Sequence, residues 1–375
     1  MNIRPYISVV LLSAVLAVSC RDTEAVEEIP IGMSAVTHST RSGAIKDVDD
    51  FNAQGSFGVY GYKTVASYAR IFTDQQVNYN STATSWDYTP IKYWDSNGYY
   101  YFGAYAPYFG TTASDAAPYL THNSPTSGDV DHILTVNNFP NWQWWKVSYN
   151  TSTDDFTTSD NSGCNDLQYA YSKGLAQDYI TSYNGYVNFT FYHALSWLEV
   201  QVSCPSLADN AAVNYYITGL TIGNDPAFTP HDNCDVPDGA GKFTYSLNYT
   251  SQSDAYGTPG GTNGYATLYP AVTDQSLKLT KTDQLLCSNL CVPFKVTGEG
   301  IYLNMTYNTG SGSSNTQRSV AIPLSDTENL KELEAGKKYL VKLRFEMGEP
   351  LKVVKVYIND WNTTGGRTEH PLFNW

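Results

Sequence analysis

Two residues near the start of the chain sit in surroundings that suit a chemical role: Cys20 and Arg41. Arg4 is the only charged side chain before a twelve-residue apolar run, Ile7 to Val18, which leads into Ala17-Val18-Ser19-Cys20. Small residues followed by cysteine resemble a lipobox, in which the thiol receives a diacylglycerol and the cysteine becomes the mature N-terminus. The run suits the apolar centre of an export signal and falls short of the roughly 20 residues that a membrane span needs. Arg41 lies in His38-Ser39-Thr40-Arg41-Ser42-Gly43, a small polar loop with one cation, the kind of segment that proteases nick. Lys46 and Arg70 are the competing sites, and Arg70 follows an aromatic run that places it beside a strand.

Elsewhere the residues that could do chemistry do not assemble into a motif. There is no His-Glu-x-x-His, no Gly-x-Ser-x-Gly and no phosphate-binding glycine loop. Six histidines are scattered; five read as loop or terminal residues, and His193 falls on the apolar face of a strand, where a hydrogen-bonded core histidine is expected. Cys287 and Cys291 lack a second ligand pair, so zinc is not called for, and the five cysteines beyond Cys20 read as buried free thiols. Acidic residues at 154, 155 and 160 and at 232, 235 and 238 do not follow the spacing of a calcium loop. No catalytic residue, metal ligand or cofactor is assigned, and the chain reads as a non-enzyme. The unusual local feature is Trp142-Gln143-Trp144-Trp145. Its indoles could stack on sugar rings, or Trp142 and Trp144 could point into the core while Trp145 covers an edge.

The elements that would position these residues are strands. Ile29, Ile31, Met33 and Ala35 alternate with Pro30, Gly32 and Ser34, so a strand over 29–37 lies between the lipidated cysteine and the cleavable arginine. Ile91 to Trp94 and Tyr99 to Tyr105 flank Asp95-Ser96-Asn97-Gly98, and Tyr179 to Tyr183 and Tyr186 to His193 flank Asn184-Gly185; both read as hairpins. Ser325 with Glu328, Leu330, Leu333 and Gly336 read as a short capped helix. The apolar pattern lapses around 205–214. The chain therefore divides into a signal (1–20), a tether with a removable strand (21–41), and two domains, 42–205 and 212–375.

Composition agrees with an all-β fold. Only 15% of residues are charged, against a usual figure near 25%, while tyrosine supplies 31 positions. A net charge of −14 disfavours nucleic acid as a partner.

Several blocks resemble the fimbrillins, the type V pilins of anaerobic Gram-negative bacteria. Trp86, Tyr93-Trp94 and Tyr101-Phe102-Gly103-Ala104-Tyr105-Ala106-Pro107 are similar to one family signature, with Asp95 where the family has proline. Asp166-Leu167-Gln168-Tyr169-Ala170 and Val187-x-Phe189-x-Phe191-x-His193-Ala194-Leu195-Ser196 resemble a second, and Ala335-Gly336-Lys337-Lys338-Tyr339 a third. The resemblance implies two transthyretin-like β-sandwich domains and a structural subunit of surface fimbriae, first tethered to the outer membrane by the lipid, then cut free. Its partners would be other pilin subunits. Removing strand 29–37 would take three or four apolar side chains out of a core, on the order of 5–10 kcal/mol, and leave a groove for a neighbour's strand. The last residues, with Leu372, Phe373 and Trp375 as anchors, are the donor strand this implies; an intramolecular edge strand is the competing reading. The alternative function is a glycan-binding surface lipoprotein or tip adhesin using Trp142, Trp144 and Trp145.

Overall fold

Alternating apolar and polar residues, broken by Asn-Gly and other turn sequences, give a chain of short strands whose inner faces share three cores. The computed structural model describes residues 28–37, 48–64, 68–115, 117–123, 132–144, 147–150, 155–158, 166–208, 213–223, 236–250, 253–259, 264–269, 277–296, 301–311, 314–324, 330–346, 352–360 and 368–371. The first elements are β1 (Gly32–Thr37), α1 (Val48–Gln54), β2 (Ser56–Thr64), β3 (Tyr68–Asn80), β4 (Ser85–Asp87) and β5 (Tyr99–Ala106). There follow β6 (Tyr119–Asn123), β7 (Ile133–Pro140), β8 (Trp142–Trp144), β9 (Val147–Asn150) and β10 (Asp155–Thr158). Next come β11 (Gln168–Leu175), α2 (Ala176–Ser182), β12 (Tyr186–His193), β13 (Ser196–Ser203) and β14 (Asn214–Gly223). They continue as β15 (Lys242–Asn248), β16 (Ser253–Pro259), β17 (Tyr265–Tyr269), β18 (Leu277–Lys278), β19 (Gln284–Cys291) and β20 (Phe294–Lys295). The last are β21 (Tyr302–Ser311), β22 (Ser314–Pro323), β23 (Glu332–Leu333), β24 (Lys337–Arg344), β25 (Lys352–Asp360) and β26 (Thr368–Pro371).

Seven strands close into a barrel in the order β1-β12-β11-β5-β2-β3-β4, with β4 returning to β1. Its interior is one aromatic-rich core containing Phe57, Phe72, Trp86, Phe102, Phe189 and Phe191. A six-stranded sheet, β26-β25-β24-β13-β19-β8, lies against a five-stranded one built on β17-β14-β21-β22 with β18 beside β14. Leu198, Val200, Val341 and Leu343 from the first sheet and Ile217, Leu220, Leu303 and Met305 from the second share the core of this sandwich. A four-stranded sheet, β16-β15-β7-β6, covers the outside of the barrel, where Tyr60, Tyr62 and Tyr105 meet Leu134, Tyr245 and Tyr249. This explains why β2 is buried on both faces: Phe57 and Val59 look inward, Tyr60 and Tyr62 toward the covering sheet.

The all-β expectation holds, and four local readings change. Ala176–Ser182 is a helix, because Ala176, Tyr179 and Ile180 recur at helical spacing on the barrel core; of the expected hairpin, the Asn184-Gly185 turn, with φ of +53° and +80°, and the second strand, Tyr186–His193, are present and the first strand is not. Residues 91–94 form no strand and instead make an isolated antiparallel bridge with residues 29–31, just before β1. Within 330–336 there is no helix: Glu332 and Leu333 pair with Lys295 and Phe294, and the chain turns at Gly336 with φ of +70°. Finally, the sheets do not break at 205–214. β13, before that point, lies between β19 and β24, while β15, after it, pairs with β7 over the barrel. Strand partnership is non-local, so a lapse in apolar pattern marks a connection without marking which side a strand joins.

Candidate functional site: the groove that holds the first strand

β1 is inserted between β12 and β4. Ile31 and Met33 are each 1% exposed and Ala35 is 6% exposed, while Val36 on the outer face is 44% exposed, so the period-two reading of this segment describes its burial. Ile29 packs partly buried against the same core. Met33 stands in register with Val187 on one side and Trp86 on the other; Ala35 stands opposite Phe189. Below them the rings of Phe51, Phe57, Trp86 and Phe191 contact one another, with Phe51–Phe191 centroids at 4.7 Å and Phe57–Trp86 at 4.9 Å. Phe51 comes from α1.

The two edges of β1 are held differently. Along β12 the pairing is parallel and continuous from Gly32 opposite Tyr186 to Thr37 opposite Phe191. Along the other edge the only register pair with β4 is Met33 with Trp86. Just before β1, residues 29–31 are bonded on that side to the irregular segment 88–94. Ile31 N–H donates to Lys92 O at 2.8 Å and Trp94 N–H donates to Ile29 O at 2.9 Å. The Tyr88 hydroxyl donates to Ile31 O at 2.7 Å, and burial raises the pKa of that phenol, which keeps it a donor. At the N-terminal end Gly185 O accepts from Gly32 N–H and from Trp94 Nε1–H, both at 2.9 Å. A Cβ on Gly185 would lie 3.0 Å from Ile29 Cγ2 and 3.1 Å from Pro30 O, so its glycine serves both the positive φ and the close approach of the strand.

Many groove walls are residues of the sequence signatures. Trp94 stacks on Tyr179 with centroids 4.8 Å apart, and burial lifts the Tyr179 hydroxyl to about 12. Asp95, at the signature's proline position, instead pairs with Lys63 at 3.2 Å, and that lysine holds its carboxyl below the usual range. Asp166 and His193 meet at 2.7 Å, both nearly fully buried, where the chain leaves the barrel for the sandwich. Sequence reasoning missed Tyr88, the Lys92 carbonyl and α1 as parts of the site; the Asn-Gly turn was the one local signal for Gly185.

Other candidates fall outside the groove. Trp142 is 6% exposed, its indole N–H donates to Pro237 O at 2.8 Å, and its ring packs on Phe294; it is therefore core, and its proposed glycan contact is corrected. The reason is that β8 crosses directly from the covering sheet to pair with β19. Trp144 belongs to β8, and Trp145 lies outside the described residues. Cys20, Arg41, Leu372, Phe373 and Trp375 also lie outside them. Thr368–Pro371, which precede the last three, pair with β25 at the sheet's edge. Cys204, Cys287 and Cys291 are buried free thiols, and burial pushes the latter two well above their ordinary pKa. His122 and His132, read from sequence as loop residues, lie between barrel and covering sheet, where His122 stacks on Tyr60 and His132 packs tilted on Tyr62. Among the described residues no group of three or more His, Cys, Asp or Glu side chains could hold a metal ion, and no helix is long and apolar enough to cross a membrane.

A family model described as fimbrillin-like matches residues 40–361. The fold is similar to that of a fimbrial protein from Bacteroides vulgatus, with a TM-score of 0.55 and 17% identity, covering 88% of this chain and 99% of that one. It is more distantly similar to the fimbrial anchor protein Mfa2 from Porphyromonas gingivalis, with a TM-score of 0.28 and 13% identity over 88% and 98% of the two chains. No curated protein sequence matches it significantly.

Proposed function

Because the chain belongs to the fimbrillin-like family, we propose that it is a structural subunit of cell-surface fimbriae that assembles by exchanging β1. In this reading it is exported as a lipoprotein on Cys20, held at the outer membrane, and cut after Arg41. One cut removes the lipid and the strand together, because both precede the arginine.

The observation that carries the reading is the way β1 sits. Its inner face completes an apolar core, yet one edge meets its neighbouring strand at a single pair, Met33 with Trp86. Burying Ile31 and Met33 is worth about 1.5–3 kcal/mol each, and leaving would strip partners from the β12 ladder, Tyr88 and Gly185 O. Such an opened barrel exposes an apolar slot and unpaired backbone, which another strand would repair. The family match also begins at residue 40, so β1 lies outside it, as do Thr368–Pro371 at the other end. The C-terminal segment is the strand offered to a neighbouring subunit of another kind; to be offered it must peel from β25.

The test is Arg41→Ala. That protein is expected to stay in the membrane fraction and remain monomeric, because its own strand still fills the barrel. Normal polymerisation with Cys20 still the first residue would overturn the mechanism and favour an uncleaved anchor.

A further inference from the structure

We propose that the slot occupied by β1 selects its occupant by a glycine opposite Tyr186, and that the strand entering it therefore comes from a polypeptide carrying an apolar-Gly-apolar triplet, not from this chain's own C-terminal tail. The proposal rests on the reading that β1 is released. It starts from a cross-strand pair: Gly32 is in register with Tyr186, and a Cβ built on Gly32 would lie 2.8 to 2.9 Å from three atoms of the tyrosine ring. One of those atoms is Cγ, at the root of the ring, so the whole ring would have to swing out rather than its tip give way. The same corner is tight on the backbone side. Gly32 N–H is bonded to Gly185 O at 2.9 Å, and a Cβ on Gly185 would crowd Ile29 and Pro30 at 3.0 and 3.1 Å. A side chain at position 32 thus meets a ring on one side of a strand that the turn already holds close.

The glycine also sets register. A slip of one residue turns Ile31, Met33 and Ala35 from the core to the outside. A slip of two places either Pro30 or Ser34 under the Tyr186 ring, and Gly32 is the only glycine between residues 28 and 37. Two positions after the glycine the Ser34 hydroxyl bonds Asn188 Oδ1, and at the third the small Ala35 faces Phe189. The occupant's pattern is therefore apolar, glycine, apolar, short polar, small. The tail after Trp361 reads Asn-Thr-Thr-Gly-Gly-Arg-Thr-Glu-His-Pro-Leu-Phe-Asn-Trp; its glycines are flanked by Thr364 and Arg367, so neither chain direction presents the triplet.

The experiment uses the whole protein cut after Arg41 and three labelled peptides: residues 28–37, the same peptide with Gly32→Val, and residues 362–375. Entry is followed by fluorescence anisotropy. Peptide 28–37 is expected to exchange in, and the Gly32→Val and tail peptides to bind about tenfold more weakly, because the Tyr186 ring, 45% exposed, must leave its place over the strand to admit a side chain. Tyr186→Ala in the protein should readmit the valine peptide. Equal binding of the valine peptide, or no gain from Tyr186→Ala, would overturn the glycine rule; equal binding of the tail peptide would overturn the choice of partner. If peptide 28–37 itself never enters, strand release fails instead. In that case uncut Gly32→Val, compared with Gly32→Val/Tyr186→Ala by hydrogen exchange of residues 31–36, still decides the rule: faster exchange restored by the second change supports it, and unchanged exchange sinks it.

Discussion

At the scale of single residues, the groove depends on positions where one atom decides whether the strand fits. Gly185 adopts φ of +80° and stands within contact distance of Ile29 and Pro30. Gly185→Ala adds left-handed strain of about 1–2 kcal/mol to a clash with the strand, so a loss of roughly 2–3 kcal/mol is expected in urea unfolding; a loss under half a kilocalorie would show that the turn can yield. His122 acts at the seam between barrel and covering sheet. Burial, helped by the charges of Arg70 and His132, lowers its pKa to about 4 from an ordinary 6.5, and its Nε2 lies 3.0 Å from the Tyr249 hydroxyl while its ring stacks on Tyr60 and Tyr62. Because the unfolded chain takes up this proton first, the contribution is fully present above about pH 6.5 and is lost as pH falls toward 4. Asp74, on the same seam and raised by burial, runs the other way, so a difference measurement is needed. His122→Phe should flatten the fall in Tm between pH 6.5 and 4; an unchanged slope would assign it to other groups.

At the scale of elements, β1 is a strand whose two edges are unequal. Six residues pair with β12, whereas β4 contributes one pair and segment 88–94 supplies scattered bonds. This asymmetry predicts that the strand loosens from the β4 side first. Met33 joins both edges, so Met33→Ala should cost about 2–5 kcal/mol, the usual range for emptying a core position. Hydrogen exchange should show β1 opening before β2 or β5; if all three open together, β1 is an ordinary barrel strand and not a separable one. Glycines under aromatic rings recur through the barrel. Gly58 lies under Tyr105, Gly61 under Phe72 and Phe102, and Gly103 under Tyr249 of the covering sheet. Each lets a large ring lie flat on the backbone, so these strands tolerate glycine in their interior.

At the scale of the whole molecule, the chain exchanges strands between its two halves. β13 carries the path out of the barrel and into the middle of the sandwich, beside the buried Asp166–His193 pair, and β15 returns to cover the barrel. The barrel is thus braced from outside by the covering sheet. At the far end, β26 holds the C-terminal segment on an edge. Deleting residues 367–375 should leave a folded monomer, because only the outermost strand of one sheet is lost, and that monomer should cap fibres without extending them. Electron microscopy showing fibres of normal length would remove the tail from assembly.

The alternation of Ile31, Met33 and Ala35, the Asn184-Gly185 turn and the all-β character were legible in the amino-acid sequence, because each is a local property: period, turn chemistry or composition. Local spacing also misled where two elements share it. Residues 179–183 looked like a strand and fold as the end of a helix, because Tyr179 must reach Trp94. What only the tertiary structure decided is which strands meet. Alternation says that one face of β1 is buried; it does not say that β12 lies beside it in parallel, that β4 barely touches it, or that Tyr186 covers Gly32. In the same way Trp142 could have been a platform or core until β8 was seen to pair with β19. A strand leaves its backbone donors and acceptors unsatisfied along both edges, and the partner that satisfies them is chosen by the whole fold.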